Sequence, residues 1–233
     1  MKIRAVIPAY FERENLEELT HRLLTELEKI NPDFEILYVI QGDDGSRELV
    51  NGMNDSRVRC LYFPKPLGVA KAFLAGFTDA VDTSDFIITM DADLNHQPEE
   101  IKNLWACLQE KNADVTIGSR YIKGGKVIGM PMWKNVLSRT MNKIINIFSR
   151  MSVADKTSGF RIYKPAVIRC ILQNVKAENF EFYPEVIMVA NKFGFSFAET
   201  PITFKFRVRG ESKMNKFQSI VGYIKIFLNK IIN

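Results

Sequence analysis

The chain has 233 residues, of which 46% are hydrophobic and 25% charged, with 13 Gly and 9 Pro. This composition excludes a disordered, fibrous or low-complexity protein and suits one large α/β domain or two small ones. The formal net charge is +5, but it is unevenly spread. Residues 1–118 carry 12 basic and 21 acidic residues, net −9, whereas residues 119–164 carry 10 basic residues and one acid, Asp155, net +9. Residues 205–233 carry 7 basic residues and 1 acid, net +6. An acidic front half suits a bound cation, and two basic blocks suit phosphates or an anionic surface. Cys60, Cys107 and Cys170 lie 47 and 63 residues apart, which is neither metal-ligand spacing nor a disulfide framework, and a reducing cytoplasm is expected. The start, MKIRAVIPAYFER, turns acidic too early for a signal peptide. No apolar run reaches the roughly 18 residues needed to cross a bilayer.

In chain order, Ile3–Ile7 is a short apolar run that Pro8 is expected to stop. Asn15–Ile30 carries Leu16, Leu19, Leu23, Leu24 and Leu27 at helical spacing. Phe34–Ile40 is a second strand, closed by the turn-rich run Gly42–Ser46, and Val58–Phe63 a third. Gly68–Val81 predicts a helix, Phe86–Met90 a fourth strand, Pro98–Lys111 a helix and Val115–Ile117 a fifth strand. Strands alternating with helices imply a mostly parallel, doubly wound sheet whose ligands bind beyond the carboxyl ends of the strands. From residue 119 the pattern changes. Trp133–Met151 predicts a basic amphipathic helix with Val136, Leu137, Thr140, Met141, Ile144 and Phe148 on one face. A loop containing Thr157–Arg161 follows, then helices at Pro165–Leu172 and Phe180–Phe193 and a strand at Ser196–Phe206. Ser219–Ile232 closes the chain as an apolar helix punctuated by Lys225 and Lys230.

The richest chemistry is Asp91-Ala92-Asp93-Leu94-Asn95, just past the fourth strand. Two carboxylates one residue apart point to one side of an extended chain. Hard divalent cations such as Mg²⁺ or Mn²⁺ take one or two such carboxylates together with phosphate oxygens. Taken alone, the same tripeptide also fits a solvated turn. Asp43-Asp44-Gly45-Ser46 follows the second strand, where a carboxylate can accept hydrogen bonds from base N–H groups or simply cap a turn. Pro8–Leu16 follows the first strand as a polar loop entering an acidic helix start. His96 stands where it is read as a loop histidine rather than a ligand, because hard metals prefer oxygen.

The runs Ile7–Leu16 (IPAYFERENL), 43–46 (DDGS), 91–96 (DADLNH), 118–121 (GSRY), 155–163 (DKTSGFRIY) and 209–214 (RGESKM) stand in the order seen in inverting family 2 glycosyltransferases, which the chain resembles over nearly its whole length. The closest likeness is to dolichyl-phosphate mannose synthases and related polyprenyl-phosphate glycosyltransferases. The resemblance implies a GT-A fold, a Rossmann-like, mostly parallel sheet flanked by helices, here with a C-terminal amphipathic helix. It implies a catalytic domain over residues 1–213. The basic helix at 214–233, with Ile220, Ile224, Phe227, Leu228 and Ile231 on one side, suits either an anionic membrane surface or docking against the protein body.

The resemblance also implies roles. Pro8, Tyr10 and Glu12 line the base and ribose pocket, and Asp43 or Asp44 holds the base. Asp91 and Asp93 hold the diphosphate and its metal, Mg²⁺ or Mn²⁺, with Asn95 as a third ligand, direct or through water. Arg120 and a further basic residue, Arg139 being the best local candidate, hold the acceptor phosphate. Arg207, Arg209, Ser212 and Lys213 close over the donor diphosphate. The implied reaction moves a hexose, mannose from GDP-mannose or glucose from UDP-glucose, onto a dolichyl or other polyprenyl phosphate, at the cytoplasmic face of a membrane reached peripherally or through an anchoring subunit. The other reading of the same fold uses a non-lipid acceptor, but the Q-x-x-R-W motif of processive synthases is absent. No nucleic-acid module accompanies the pI of 9.0, and Pro8-Ala9-Tyr10 stands where a dinucleotide-binding protein needs G-x-G-x-x-G.

Overall fold

A computed structural model describes residues 1–149 and 151–206. Its elements run β1 (Ile3–Tyr10), α1 (Arg13–Ile30), β2 (Phe34–Gln41), α2 (Ser46–Asn51), β3 (Val58–Phe63), α3 (Val69–Ala80) and β4 (Phe86–Thr89). A 3₁₀ turn at Pro98–Glu100 leads into α4 (Ile101–Lys111), followed by β5 (Val115–Ser119), β6 (Lys126–Ile128) and α5 (Met132–Ser149). The last elements are β7 (Arg161–Tyr163), α6 (Pro165–Asn174), α7 (Phe182–Lys192), β8 (Phe197–Pro201) and β9 (Thr203–Lys205).

The main sheet has the order β3-β2-β1-β4-β7-β5-β8. All its pairings are parallel except those of β7, which runs antiparallel to both β4 and β5. The central strands read as continuous apolar runs because helices cover both faces. Alternation splits β1 between two cores. Ile3, Ala5 and Ile7 pack with Leu16, Leu19 and Leu23 of α1, whereas Val6 joins Leu37, Val39, Ala70, Phe73 and Phe77 on the α3 side. Helix α3 sits so close to the sheet that a Cβ on Gly76 would lie 2.4 Å from Val6 Cγ1.

Within the described residues the expected elements are present, with three corrections. Pro8 does not stop β1, which runs on to Tyr10 paired with Gln41. The ladder to β4 ends at Val6–Thr89, so beyond Val6 only one side of β1 is paired, and a residue without an N–H is tolerated there. The strand expected over 196–206 is two strands in two sheets, broken at the buried Ile202, with β9 pairing β6 instead of the main sheet. The buried stripe of α5 is also rotated from the expected face. Val136 and Thr140 are exposed, while Met141, Asn142 and Ile145 are buried. Polar contacts outweigh the apolar period here: Asn142 Oδ1 accepts from Lys156 N at 2.7 Å, and Ser138 Oγ lies 2.8 Å from Thr157 Oγ1. The helix expected at 219–232 lies outside the described residues, as do Arg207, Arg209, Ser212 and Lys213.

Candidate active site

A cavity of about 360 Å³ opens beyond the carboxyl ends of β1, β2 and β4 and is closed on its far side by α5, β9 and the start of α7. This is where a doubly wound sheet presents its ligands.

One wall comes from the ends of β1 and β2. Pro8, Tyr10 and Glu12 line it, as expected. Glu12 is buried and accepts a 2.7 Å hydrogen bond from Asn15 Nδ2. Gln41, the last residue of β2, also lines the wall, and its Oε1 accepts from the backbone N–H groups of Leu67 (2.7 Å) and Gly68 (3.0 Å). The amide thereby draws the β3–α3 loop into the wall, and Gly68 at φ +86° supplies the turn. Asp44 is half-buried and tied to the chain, accepting from Arg13 N (3.2 Å) and Ser46 N (3.1 Å). Asp43 is exposed, and neither of the two lines the cavity.

The floor is the turn after β4. Asp91, Asp93, Asn95 and His96 all line the cavity. Leu94 adopts φ +58°, which bends the chain so that Asp93 accepts from both Asn95 N (3.1 Å) and Asn95 Nδ2 (2.7 Å). Asn95 Oδ1 is left buried without a hydrogen-bond partner among the described residues, as is His96 Nδ1, which lies 3.8 Å from Asp91 Oδ2. Burial drives the His96 pKa down to about 4, so its ring is neutral at pH 7 and packs against Phe160 and Phe204. Asp91 Oδ1 accepts a 2.8 Å hydrogen bond from the phenol of Tyr183, a buried residue in the first turn of α7. Burial and the neighbouring Asp91 carboxylate hold that phenol protonated, raising its pKa well above the ordinary value.

Two carboxylates and an unpartnered buried amide oxygen form a donor set suited to a hard divalent cation. Among the described residues no three His, Cys, Asp or Glu side chains cluster as a complete metal site. Oxygens of a bound diphosphate would suit further positions around such a cation.

The opposite wall is basic. Arg120 follows β5, is buried, and lines the cavity. Its Nε and Nη2 donate to Asp155 Oδ2 and Oδ1, each at 2.7 Å, and Nη2 also reaches Thr157 Oγ1 at 2.7 Å. The rings of Tyr121 and Phe204 flank the guanidinium at 5.0 and 5.2 Å. Burial opposes charge on Arg120, but the attraction and hydrogen bonds of Asp155 outweigh it and hold the guanidinium protonated. Asp155 is thus the partner of an arginine. Arg139 is exposed on α5, its guanidinium 4.7 Å from the Tyr121 ring, and it does not line the cavity. Lys134, one turn earlier, does.

Sequence reasoning missed Gln41, Lys134 and Tyr183 as cavity residues. Gln41 left a faint signal as a polar residue ending an otherwise apolar strand, and Lys134 opens the basic helix. Tyr183 left none, because its neighbours Phe180, Phe182 and Val186 read as an ordinary helix core.

Comparison with known proteins identifies the family and the fold. A model of the family described as "Glycosyl transferase family 2" matches residues 5–172. The dolichol-phosphate mannosyltransferase of Pyrococcus furiosus is 34% identical over 230 residues, covering 97% of this chain and 62% of that protein, so the chain spans less than two thirds of its length. The polyprenol monophosphomannose synthase of Mycolicibacterium smegmatis is 34% identical over 219 residues (90% of this chain, 80% of that protein). The undecaprenyl-phosphate mannosyltransferase of Micrococcus luteus is 30% identical over 223 residues (92% and 88%). Among solved structures, glucosyl-3-phosphoglycerate synthase from Mycobacterium tuberculosis with Mn²⁺, UDP and phosphoglyceric acid superposes with a TM-score of 0.70 at 13% identity, over 98% of this chain and 78% of that one. Staphylococcus aureus TarS 1-349 with UDP-GlcNAc gives 0.65 at 17% identity, over 100% and 67%. The fold shared with these structures is GT-A. With the family model matched across most of its length, the chain belongs to glycosyl transferase family 2.

Proposed function

We propose that this chain transfers a hexose, mannose from GDP-mannose in the first instance, from a nucleoside-diphosphate sugar to the phosphate of a polyprenol, with inversion at the anomeric carbon. One observation carries the reading: the Asp91 and Asp93 carboxylates and the Arg120 guanidinium, groups for a cation and for an anion, line a single cavity. The names of the three mannosyltransferase relatives support the polyprenyl acceptor and the sugar.

The residues divide the work. Pro8, Tyr10 and Glu12, with Gln41 and the Asp43–Asp44 turn beside them, receive the nucleoside. Asp91 and Asp93, with Asn95 Oδ1, hold Mn²⁺ or Mg²⁺, which when bound offsets charge on the departing diphosphate. Arg207, Arg209, Ser212 and Lys213, outside the described residues, are assigned to that diphosphate on their charge and hydrogen-bonding chemistry. Arg120 receives the acceptor phosphate, with Lys134 at the cavity wall and Arg139 outside it guiding the anion in. A phosphate oxygen is ionised at neutral pH, so the attack on the anomeric carbon needs no general base. Asp155 is accordingly free to be spent on Arg120. The catalytic task is to bring two anions together in one orientation.

The acceptor is a lipid, so the enzyme works at a membrane surface, at its cytoplasmic face, directly or through an anchoring subunit. Helix α5 supports this reading, with Met132 (83% exposed), Val136 (56%) and Ile147 (75%) presented beside Lys143 and Arg139. The basic and apolar composition of residues 214–233, which follow the proposed catalytic domain of 1–213, suits a second contact with that surface. No helix among the described residues is long and apolar enough to cross a membrane. A thermal-shift screen of nucleoside diphosphates with and without Mn²⁺ tests the donor side. GDP with Mn²⁺ is expected to raise the melting temperature most. A larger shift with UDP would reassign the donor to UDP-glucose, and no Mn²⁺-dependent shift with any nucleotide would overturn the reading.

A further inference from the structure

We propose that Tyr183 is a positioning residue for the metal-binding carboxylate of Asp91, fixing one of its oxygens so that the other is presented to the cation. The inference rests on the cation site of the proposed function and extends it to a helix that the sequence motifs of the family do not include. The phenol donates to Asp91 Oδ1 at 2.8 Å. A carboxylate bonded in this way by a neutral donor keeps its charge and keeps its second oxygen for a metal.

The phenol itself has little freedom. Its ring packs edge-on against Phe73 at 5.9 Å and Phe182 at 6.0 Å. On the other side Gly159 closes the gap, where a Cβ would stand 2.7 Å from Tyr183 Cε1 and 3.2 Å from Asp91 Oδ1. The Tyr183 backbone carbonyl accepts a 2.9 Å bond from Arg161 Nη2, and the same nitrogen reaches the Lys156 carbonyl at 2.7 Å. Arg161 is fully buried and so spans from α7 to the loop that carries Asp155 and Thr157 to Arg120. Tyr183 therefore couples the aspartate on one side of the cavity to the scaffold of the arginine on the other.

The test is Mn²⁺ binding by calorimetry with nucleoside diphosphate present, on the wild-type chain and on Tyr183→Phe, alongside the Mn²⁺ dependence of sugar transfer. Loss of the hydroxyl is expected to weaken Mn²⁺ about 10- to 100-fold, as loss of an outer partner of a metal ligand does, while kcat at saturating Mn²⁺ stays near that of the wild type. A purely structural tyrosine would instead lower the melting temperature and kcat without moving the Mn²⁺ affinity, and that result overturns the proposal. Tyr183→Met, which removes the donor but fills the space flexibly, supplies the same reading if the Phe variant does not fold. Unchanged Mn²⁺ affinity in a folded variant sinks the role of Tyr183, whereas absence of Mn²⁺ binding by the wild type sinks the cation site itself.

Discussion

The guanidinium of Arg120 meets the carboxylate of Asp155 at two points, Nε to Oδ2 and Nη2 to Oδ1, each at 2.7 Å, and both side chains are buried. The Arg120 backbone N–H adds a third bond to Asp155 Oδ2 at 3.0 Å. Removing one partner of such a pair leaves an uncompensated buried charge and costs about 3–5 kcal/mol. Asp155→Asn is therefore expected to melt well below the wild type at pH 7. Burial by itself would raise the Asp155 pKa, but the charge and hydrogen bonds of Arg120 outweigh it, and the net displacement is downward. A carboxyl with a depressed folded pKa contributes stability above its ordinary value of 3.8 and loses it as pH falls through the folded value. Melting curves followed by circular dichroism from pH 7 to pH 2 should show an acid limb in the wild type that is shallower in Asp155→Asn. Parallel curves would show that the pair contributes nothing differential.

Gln41 separates two contributions to donor binding. Its Oε1 anchors the loop at Leu67 and Gly68, and its amide lines the cavity. Gln41→Leu leaves two half-buried N–H groups without their acceptor, at up to about 1–3 kcal/mol for an unsatisfied donor. It is expected to raise the donor KM about tenfold, with kcat changed less. Gln41→Glu keeps the acceptor and should retain most of the affinity if loop anchoring dominates. Steady-state kinetics with varied sugar nucleotide decides, and equal KM values for the wild type and the Leu variant would remove Gln41 from the donor wall.

Two glycines give a matched pair. Gly159→Ala drives a methyl to 2.7 Å from Tyr183 Cε1 and 3.2 Å from Asp91 Oδ1, and Gly76→Ala drives one to 2.4 Å from Val6 Cγ1 in the core. Each overpacks its surroundings at about 1–3 kcal/mol. Both variants should melt lower than the wild type. Only Gly159→Ala should also need more Mn²⁺ for half-maximal transfer, because only its clash reaches an aspartate of the cavity. A shift of the Mn²⁺ requirement in Gly76→Ala would trace the effect to general loosening of the fold.

The alternation of β1 to β5 with their helices was legible because parallel strands covered on both faces are written as unbroken apolar runs. The carboxylate turn was legible for a related reason: polar residues directly after such a run can only sit at the end of the sheet. What escaped were features set by distant partners. The strand β7 is three residues, Arg161–Tyr163, and is defined by antiparallel pairing with β4 and β5, partners distant in the sequence. The inner face of α5 was misplaced because Ser138 and Asn142 bond to the 156–157 loop, which no hydrophobic period records. Tyr183 stands 92 positions from Asp91, and nothing local marks it as anything other than core. Arg139 shows the converse. Its charge made it the best local candidate for a second phosphate-binding residue, but the fold puts it against the Tyr121 ring and not in the cavity lining.

The central claim is that the Asp91–Asp93 turn and the Arg120 wall serve one transfer from a nucleotide sugar to a lipid phosphate. The most direct measurement is incubation of the wild type and Asp93→Asn with labelled GDP-mannose, polyprenyl phosphate and Mn²⁺, counting label that moves into the organic phase. The wild type should form a labelled polyprenyl-phosphate sugar, and Asp93→Asn should lose about 10²–10³-fold of that rate, the worth of several kcal/mol of charge stabilisation. Equal rates in the two proteins, or label delivered only to water-soluble acceptors, would contradict it.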